Sequence, residues 1–165
     1  ANTTNSAGTT AYAKWELHGM SEPVLMDQTI SYLPAGACPL TIMYGIGKTT
    51  SAGLEPVLDY SGTTSVRASN FQLSVSQLPP NKPLLGFWSL QSNDYPLFGG
   101  TLYLKQPFYR MTVAISDTSG QASIFAPLPS SGIGQERYYQ VWFRDPQEPN
   151  FGVGLTNALH VDVCP

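Results

Sequence analysis

Residues Gly45-Ile46-Gly47-Lys48-Thr49-Thr50 form the segment of this sequence that comes closest to a nucleotide-binding motif. A phosphate-binding loop has the pattern Gly-x-x-x-x-Gly-Lys-Ser/Thr, because its backbone N–H groups surround the phosphates at the N-terminus of a helix. The first glycine of that pattern would fall at Ile42, and Gly53 and Pro56 disfavour a following helix. We therefore interpret the segment as a glycine-rich turn and expect no nucleotide cofactor.

The two histidines, His18 and His160, do not fall into a catalytic or metal-binding pattern. A serine hydrolase would need a Gly-x-Ser-x-Gly turn, which the chain lacks, and a zinc site would need ligands at characteristic spacing. We expect His160 to be an exposed strand residue. Asp94 and Asp145 lie singly in turns, where calcium binding is an alternative to local pairing. The sequence thus predicts no catalytic residue, metal site or cofactor, and a protein that is not an enzyme.

The chain has two cysteines, Cys38 and Cys164. A disulfide between them would close a loop of about 126 residues, for which loss of chain entropy gives roughly 4–5 kcal/mol of stabilisation. The alternative is two unrelated buried thiols. An even cysteine count and a low lysine content both favour an extracellular setting.

Aromatic residues are the better indication of a binding function, since the chain has 3 Trp, 9 Tyr and 7 Phe. We expect most of them in the core. Tyr109, Tyr138 and Trp142 are candidates for facing outward, where aromatic rings stack on sugars or on a partner protein. Packing in the core is the alternative for these three as well.

Composition limits the classes of partner. Thr, Ser, Gly and Pro make up 59 of the 165 residues, and only 12% are charged, with a net charge of −3. Such a chain has no basic surface for nucleic acid, and no apolar run reaches the roughly 18 residues that span a bilayer. The 42% hydrophobic content argues against disorder.

Short alternating segments separated by turn residues predict an all-β fold. We expect about nine to eleven strands in an antiparallel β-sandwich, immunoglobulin-like or jelly-roll in type. The segment 84–90 is apolar on both faces, which is typical of a central strand. Asp117-Thr118-Ser119-Gly120 is the strongest hairpin turn, between segments 108–116 and 121–126. The last strand is predicted over residues 159–164.

The first residues differ from the rest. The chain begins at Ala1 with a polar stretch, as after removal of a signal peptide. The segment 10–18 then alternates, with Ala11, Ala13, Trp15 and Leu17 on one face. We divide the chain into a flexible leader with an edge or exchanged strand, residues 1–20, and a single sandwich domain, residues 21–165. The alternating strand either completes the sheet of a neighbouring copy or pairs within its own domain.

Five segments between residues 44 and 165 resemble, in order, a known bacterial domain. They are Leu78-Pro79-Pro80-Asn81-Lys82-Pro83, Phe98–Leu104, Asp117–Ser123, Arg137–Pro146 (with the run YYQVWFRDP) and Leu155–Val161 (LTNALHV). This pattern resembles the C-terminal β-rich domain of large secreted proteins from planctomycetes and similar environmental bacteria. The resemblance implies a secreted, non-catalytic β-sandwich module. That family often has cysteines at positions where this chain does not, so the resemblance does not support the pairing of Cys38 with Cys164.

Two functions remain as hypotheses. The first is a secreted or cell-surface structural module that assembles with copies of itself, into filaments where the N-terminal strand adds to a neighbour. The second is a carbohydrate-binding or adhesion module whose partners are surface glycans. Neither involves nucleic acid or membrane insertion.

Overall fold

A computed structural model of the chain describes residues 38–165 in full and, before them, the backbone of two short strands. The chain divides into two compact units, Ala1–Ala37 and Cys38–Pro165. This division lies further along the chain than the one we draw from the sequence, after residue 20. None of the described residues belongs to a helix long and apolar enough to cross a bilayer.

In the first unit, strand β1 (Ala11–Ala13) pairs antiparallel with strand β2 (Gln28–Ile30) in a sheet of their own. The predicted assembly strand thus includes a strand that pairs within the same chain. Its other two residues, Trp15 and Leu17, lie outside the described residues.

The second unit contains ten strands and one turn of 3-10 helix. The strands are β3 (Ile42–Tyr44), β4 (Val57–Ser61), β5 (Gln72–Ser76), β6 (Pro83–Ser89), β7 (Ser92–Leu97), β8 (Gly100–Leu104), β9 (Tyr109–Ile115), β10 (Ala122–Phe125), β11 (Glu136–Arg144) and β12 (Val153–Asp162); the 3-10 turn is Ser130–Gly132. The described residues therefore hold twelve strands, slightly more than predicted.

Two antiparallel sheets pack against each other, which confirms the predicted all-β sandwich. The five-stranded sheet has the order β3-β12-β11-β6-β9, and the three-stranded sheet has the order β10-β5-β4. Strand β6 lies between β11 and β9, as its apolar sequence predicts. Alternation decides which side chains are buried: on β5, Leu73 and Val75 face the core whereas Gln72 is exposed.

The five-stranded sheet is apolar on both faces. Its inner face packs on the three-stranded sheet through residues such as Tyr139, Val141 and Leu159. Its outer face carries a second cluster, with Phe87, Leu155 and side chains from β8. A hairpin of β7 and β8 covers part of this outer face, so the sandwich has a third, partial layer.

Strand β7 is not predicted from the sequence. Its sequence, SNDYPL, contains a proline and does not alternate, and both features argue against a strand. It forms because it pairs with β8 through a two-residue loop, Phe98-Gly99, whose residues both have positive φ (53° and 75°). Positive φ at both loop positions is what a type I′ hairpin turn requires.

The predicted hairpin around Asp117-Thr118-Ser119-Gly120 is wrong. The turn forms, and the Asp117 carboxylate accepts hydrogen bonds from the N–H groups of Ser119 and Gln121 at 2.9 and 2.8 Å. However, β9 pairs with β6, and β10 pairs with β5 in the other sheet. The turn instead bonds the neighbouring connection, where Leu78 N–H donates to Gly120 C=O at 3.0 Å. The connection from β5 to β6 and the connection from β9 to β10 therefore both cross between the two sheets.

The predicted disulfide is present. Cys38 and Cys164 are bonded, with their Cα atoms 5.5 Å apart, within the usual range for a disulfide. Cys164 is buried, and its N–H donates to Thr64 C=O at 3.1 Å. The bond thus ties the first residue of the second unit to the segment that follows β12 and to the segment around residue 64.

We predict that the disulfide is a major source of stability. Because it closes a loop with a sequence separation of 126, replacing both cysteines by serine should lower the free energy of unfolding by up to about 4–5 kcal/mol. Urea denaturation measures this change, and reductant should destabilise the wild type but not the Cys38→Ser, Cys164→Ser variant. Equal midpoints for oxidised and reduced wild type would contradict the prediction.

Candidate functional site

The structure brings together two of the three aromatic residues predicted to bind a partner. Tyr138 and Trp142 lie on the outer face of β11, on either side of Gln140. Tyr109 lies elsewhere: its ring stacks on Trp88 with centroids 4.2 Å apart. Tyr138 and Trp142 are both partly buried against the outer cluster. The three therefore do not form one exposed row.

Trp142 lines an apolar groove of about 270 Å³ on the outer face, which we name the Trp142 groove. The groove lies where the β7–β8 hairpin packs over the five-stranded sheet. Of the described residues that line it, Arg110 alone is charged, and the others include Leu97, Phe98, Leu102 and Phe108. Such a surface suits an apolar or ring-shaped ligand that also carries a hydrogen-bond acceptor for Arg110.

Gln140 fixes the hairpin that covers this face. Its side chain is fully buried, and its Oε1 accepts from Tyr103 N–H at 3.0 Å. Its Nε2 donates to the carbonyl oxygens of Thr101 and Thr156 at 2.8 and 2.7 Å. One amide thereby satisfies backbone groups of β8 and of β12, which buried polar groups require.

The side chain of Asn157 likewise bonds backbone groups, here between the two packed sheets. Its Oδ1 accepts from Leu58 N–H at 2.6 Å, and its Nδ2 donates to Leu58 C=O at 3.0 Å. These two bonds join β12 of the five-stranded sheet to β4 of the three-stranded sheet. Thr156, next to it, accepts from Val141 N–H at 3.1 Å.

The segments 137–146 and 155–161 therefore contain residues that hold the layers together. Asp145, which follows Arg144 in that run, is buried and accepts from the N–H and hydroxyl of Ser51 at 2.7 and 2.6 Å. From the sequence, a local pair or a calcium ion is expected at Asp145, and no role is expected for Gln140 or Asn157. Their signal was present: polar residues inside otherwise apolar strands are typical of buried, hydrogen-bonded side chains.

Lys48 of the glycine-rich turn has a structural partner. Its ammonium donates to Val153 C=O at 2.9 Å and lies 3.1 Å from the Glu148 carboxylate. The N–H group of Phe151, together with Lys48 and Gly152, lowers the pKa of Glu148 to about 2. The lysine that a phosphate-binding loop would need thus joins the turn to the loop before β12.

Strand β9 forms one edge of the five-stranded sheet. Its hydrogen-bonding edge opposite β6 pairs with none of the described strands. It is seven residues long, and its sequence, YRMTVAI, contains one charged residue. Val113 and Ile115 are 61% and 68% exposed. Natural edge strands are usually protected by lysine, proline, a β-bulge or shortness. Strand β9 has a register irregularity between its pairs with Leu85 and Phe87, but its length and apolar sequence still make its free edge an available pairing surface.

Comparison of the chain with protein-family models, with curated proteins and with solved structures finds no match.

We predict that Gln140 stabilises the fold more than a glutamine at the surface does. Replacing it by leucine leaves buried backbone groups without partners, and such a loss costs about 1–3 kcal/mol per group. Gln140→Leu should therefore lower the free energy of unfolding in urea, whereas Gln72→Leu, on an exposed position of β5, should change it little. Equal effects of the two substitutions would refute this role.

Proposed function

We propose that this chain is a non-catalytic, extracellular structural module that assembles with copies of itself. The observation that carries the proposal is the apolar, unpaired edge of β9. An exposed strand edge offers a row of N–H and C=O groups to an added strand. Exposed side chains at Val113 and Ile115 would be buried in the same step.

The N-terminal segment is the donor in this proposal. Strands β1 and β2 form a sheet of only two strands, each of three residues, and a sheet of that size is marginal in water. Strand β1 also has a second hydrogen-bonding edge, opposite the one that β2 occupies. Addition of this edge to β9 of a neighbouring copy would extend a stable sheet, and repetition of the contact would build a filament.

Three further features support the proposal. A chain with 12% charged residues has little charge repulsion between copies. The buried side chains of Gln140, Asp145 and Asn157 are used in bonds that hold the sandwich together. The disulfide is compatible with an oxidising environment outside the cell.

A charge on the β9 edge should therefore prevent assembly. We expect the wild type to form oligomers or filaments in light scattering and electron microscopy, and Val113→Lys to remain monomeric because lysine blocks edge pairing. Leu54→Lys is the matched control, since Leu54 is exposed but lies in a loop outside the strands. Circular dichroism verifies that both variants are folded.

Two outcomes would refute the proposal. One is a wild type that stays monomeric at high concentration, and the other is a Val113→Lys variant that assembles as the wild type does. Deletion of residues 1–18 distinguishes the role of the N-terminal strand from that of the β9 edge. If assembly persists after the deletion, the N-terminal strand is excluded as the donor and the β9 edge remains as the contact.

The Trp142 groove favours a second function, the binding of surface glycans. Aromatic rings stack on the apolar faces of sugars, and Arg110 offers donors for their hydroxyl oxygens. If this holds, the wild type should bind immobilised polysaccharides and Trp142→Ala should lose most of that binding. Tyr109→Ala, on an aromatic residue outside the groove, should keep it. Absence of binding across soluble and insoluble glycans would remove this function.

A further inference from the structure

Three side chains with metal-binding atoms meet on the outer face of the β11–β12 pair. Glu136 on β11 lies directly opposite Asp162 on β12, and two residues further on Tyr138 lies opposite His160. One ligand atom from each of Glu136, His160 and Asp162 lies within 4.8 Å of the others. We propose that these three residues form a binding site for a divalent transition-metal cation, zinc in particular. The inference is independent of the proposed function.

The distances fit a shared metal ion better than a set of hydrogen bonds. His160 Nε2 lies 3.6 Å from a Glu136 carboxylate oxygen and 3.8 Å from an Asp162 carboxylate oxygen. Both separations exceed the length of an N–H···O hydrogen bond. Zinc–ligand bonds of about 2.1 Å in a tetrahedron place neighbouring ligand atoms about 3.4 Å apart. The two separations from His160 are therefore within a few tenths of an ångström of the value for a shared ion.

The electrostatics of the cluster also favour a cation. Carboxylates directly opposite each other on neighbouring strands repel each other, and Glu136 and Asp162 have this arrangement. The Nε2 atom of His160 is buried and finds no hydrogen-bond partner within the described residues. A buried nitrogen without a partner costs free energy. A bound cation would relieve the repulsion and use the nitrogen lone pair at the same time.

Tyr138 holds two of the three ligands in position. Its hydroxyl donates to a Glu136 carboxylate oxygen at 2.9 Å. Its ring stacks on the His160 imidazole, with centroids 4.8 Å apart and planes within 13°. Contacts of this kind fix the orientation of metal ligands and raise metal affinity. Tyr138, predicted as a residue that stacks on a partner, is in this proposal a positioning residue.

The chemistry of the ligands selects the metal. Calcium prefers oxygen ligands alone, whereas one imidazole with two carboxylates suits zinc and related metals. The carboxylates are open to solvent, at 59% and 37% exposure, which leaves room for a water ligand. Both cysteines are held in the disulfide, so thiolates do not compete for the ion.

Zinc titration of the full-length, disulfide-bonded protein tests the proposal. After treatment with a chelator, the wild type should bind one zinc ion per chain in calorimetry at pH 7.5, and calcium should bind far more weakly. His160→Gln and Asp162→Asn should each weaken zinc binding at least about tenfold. His18→Gln, which removes the other histidine of the chain, should not.

Cobalt provides an independent signal, because a tetrahedral cobalt site with nitrogen and oxygen ligands absorbs visible light. Circular dichroism shows whether each variant is folded. If His160→Gln does not fold, the zinc affinity of Asp162→Asn provides the test. The proposal is overturned if the wild type binds no zinc at millimolar concentration. It is also overturned if both folded variants bind zinc as the wild type does.

Discussion

A β-bulge in β12 is the feature on which the rest of the sandwich depends. Gln140 pairs with Ala158 and Trp142 pairs with Leu155, so one residue of β11 faces two of β12, Thr156 and Asn157. A bulge of this kind leaves backbone groups without ladder partners, and here side chains satisfy them. Thr156 accepts from Val141 N–H through its hydroxyl and from Gln140 through its carbonyl, while the Asn157 amide turns to β4. The bulge thus joins all three layers.

The same bulge explains what could be predicted from the sequence. Downstream of it the alternation of Leu159, Val161 and Val163 was recognised, and those residues face the inner core. Upstream, Leu155 faces the outer cluster, because the extra residue reverses which positions point inward. The prediction therefore began the last strand at Leu159, although β12 starts at Val153. Regular alternation is visible in a sequence, but a change of phase within one strand is not.

Pairing between distant strands was also beyond the sequence. The all-β class, the central position of β6 and the disulfide were predicted from local patterns and residue types, and the structure confirms all three. The Asp117–Gly120 turn was recognised from its residues, yet the assignment of its two strands to one sheet was wrong. That assignment depends on bonds from the turn to Leu78, about forty residues away. Turn chemistry is local, whereas the choice of sheet is set by non-local packing.

The cluster of Glu136, His160 and Asp162 shows the same limit at the level of a site. Metal ligands are visible in a sequence when their spacing is short, but Glu136 and Asp162 become neighbours only through the register of β11 with β12. This register applies to the part of β12 that follows the bulge, where Ala158, His160 and Asp162 all lie on the outer face of the sheet. A slip of one residue would turn His160 and Asp162 towards the core and bring Leu159 and Val161 to the surface. The hydrophobic core therefore fixes the register, and through it the geometry of the cluster.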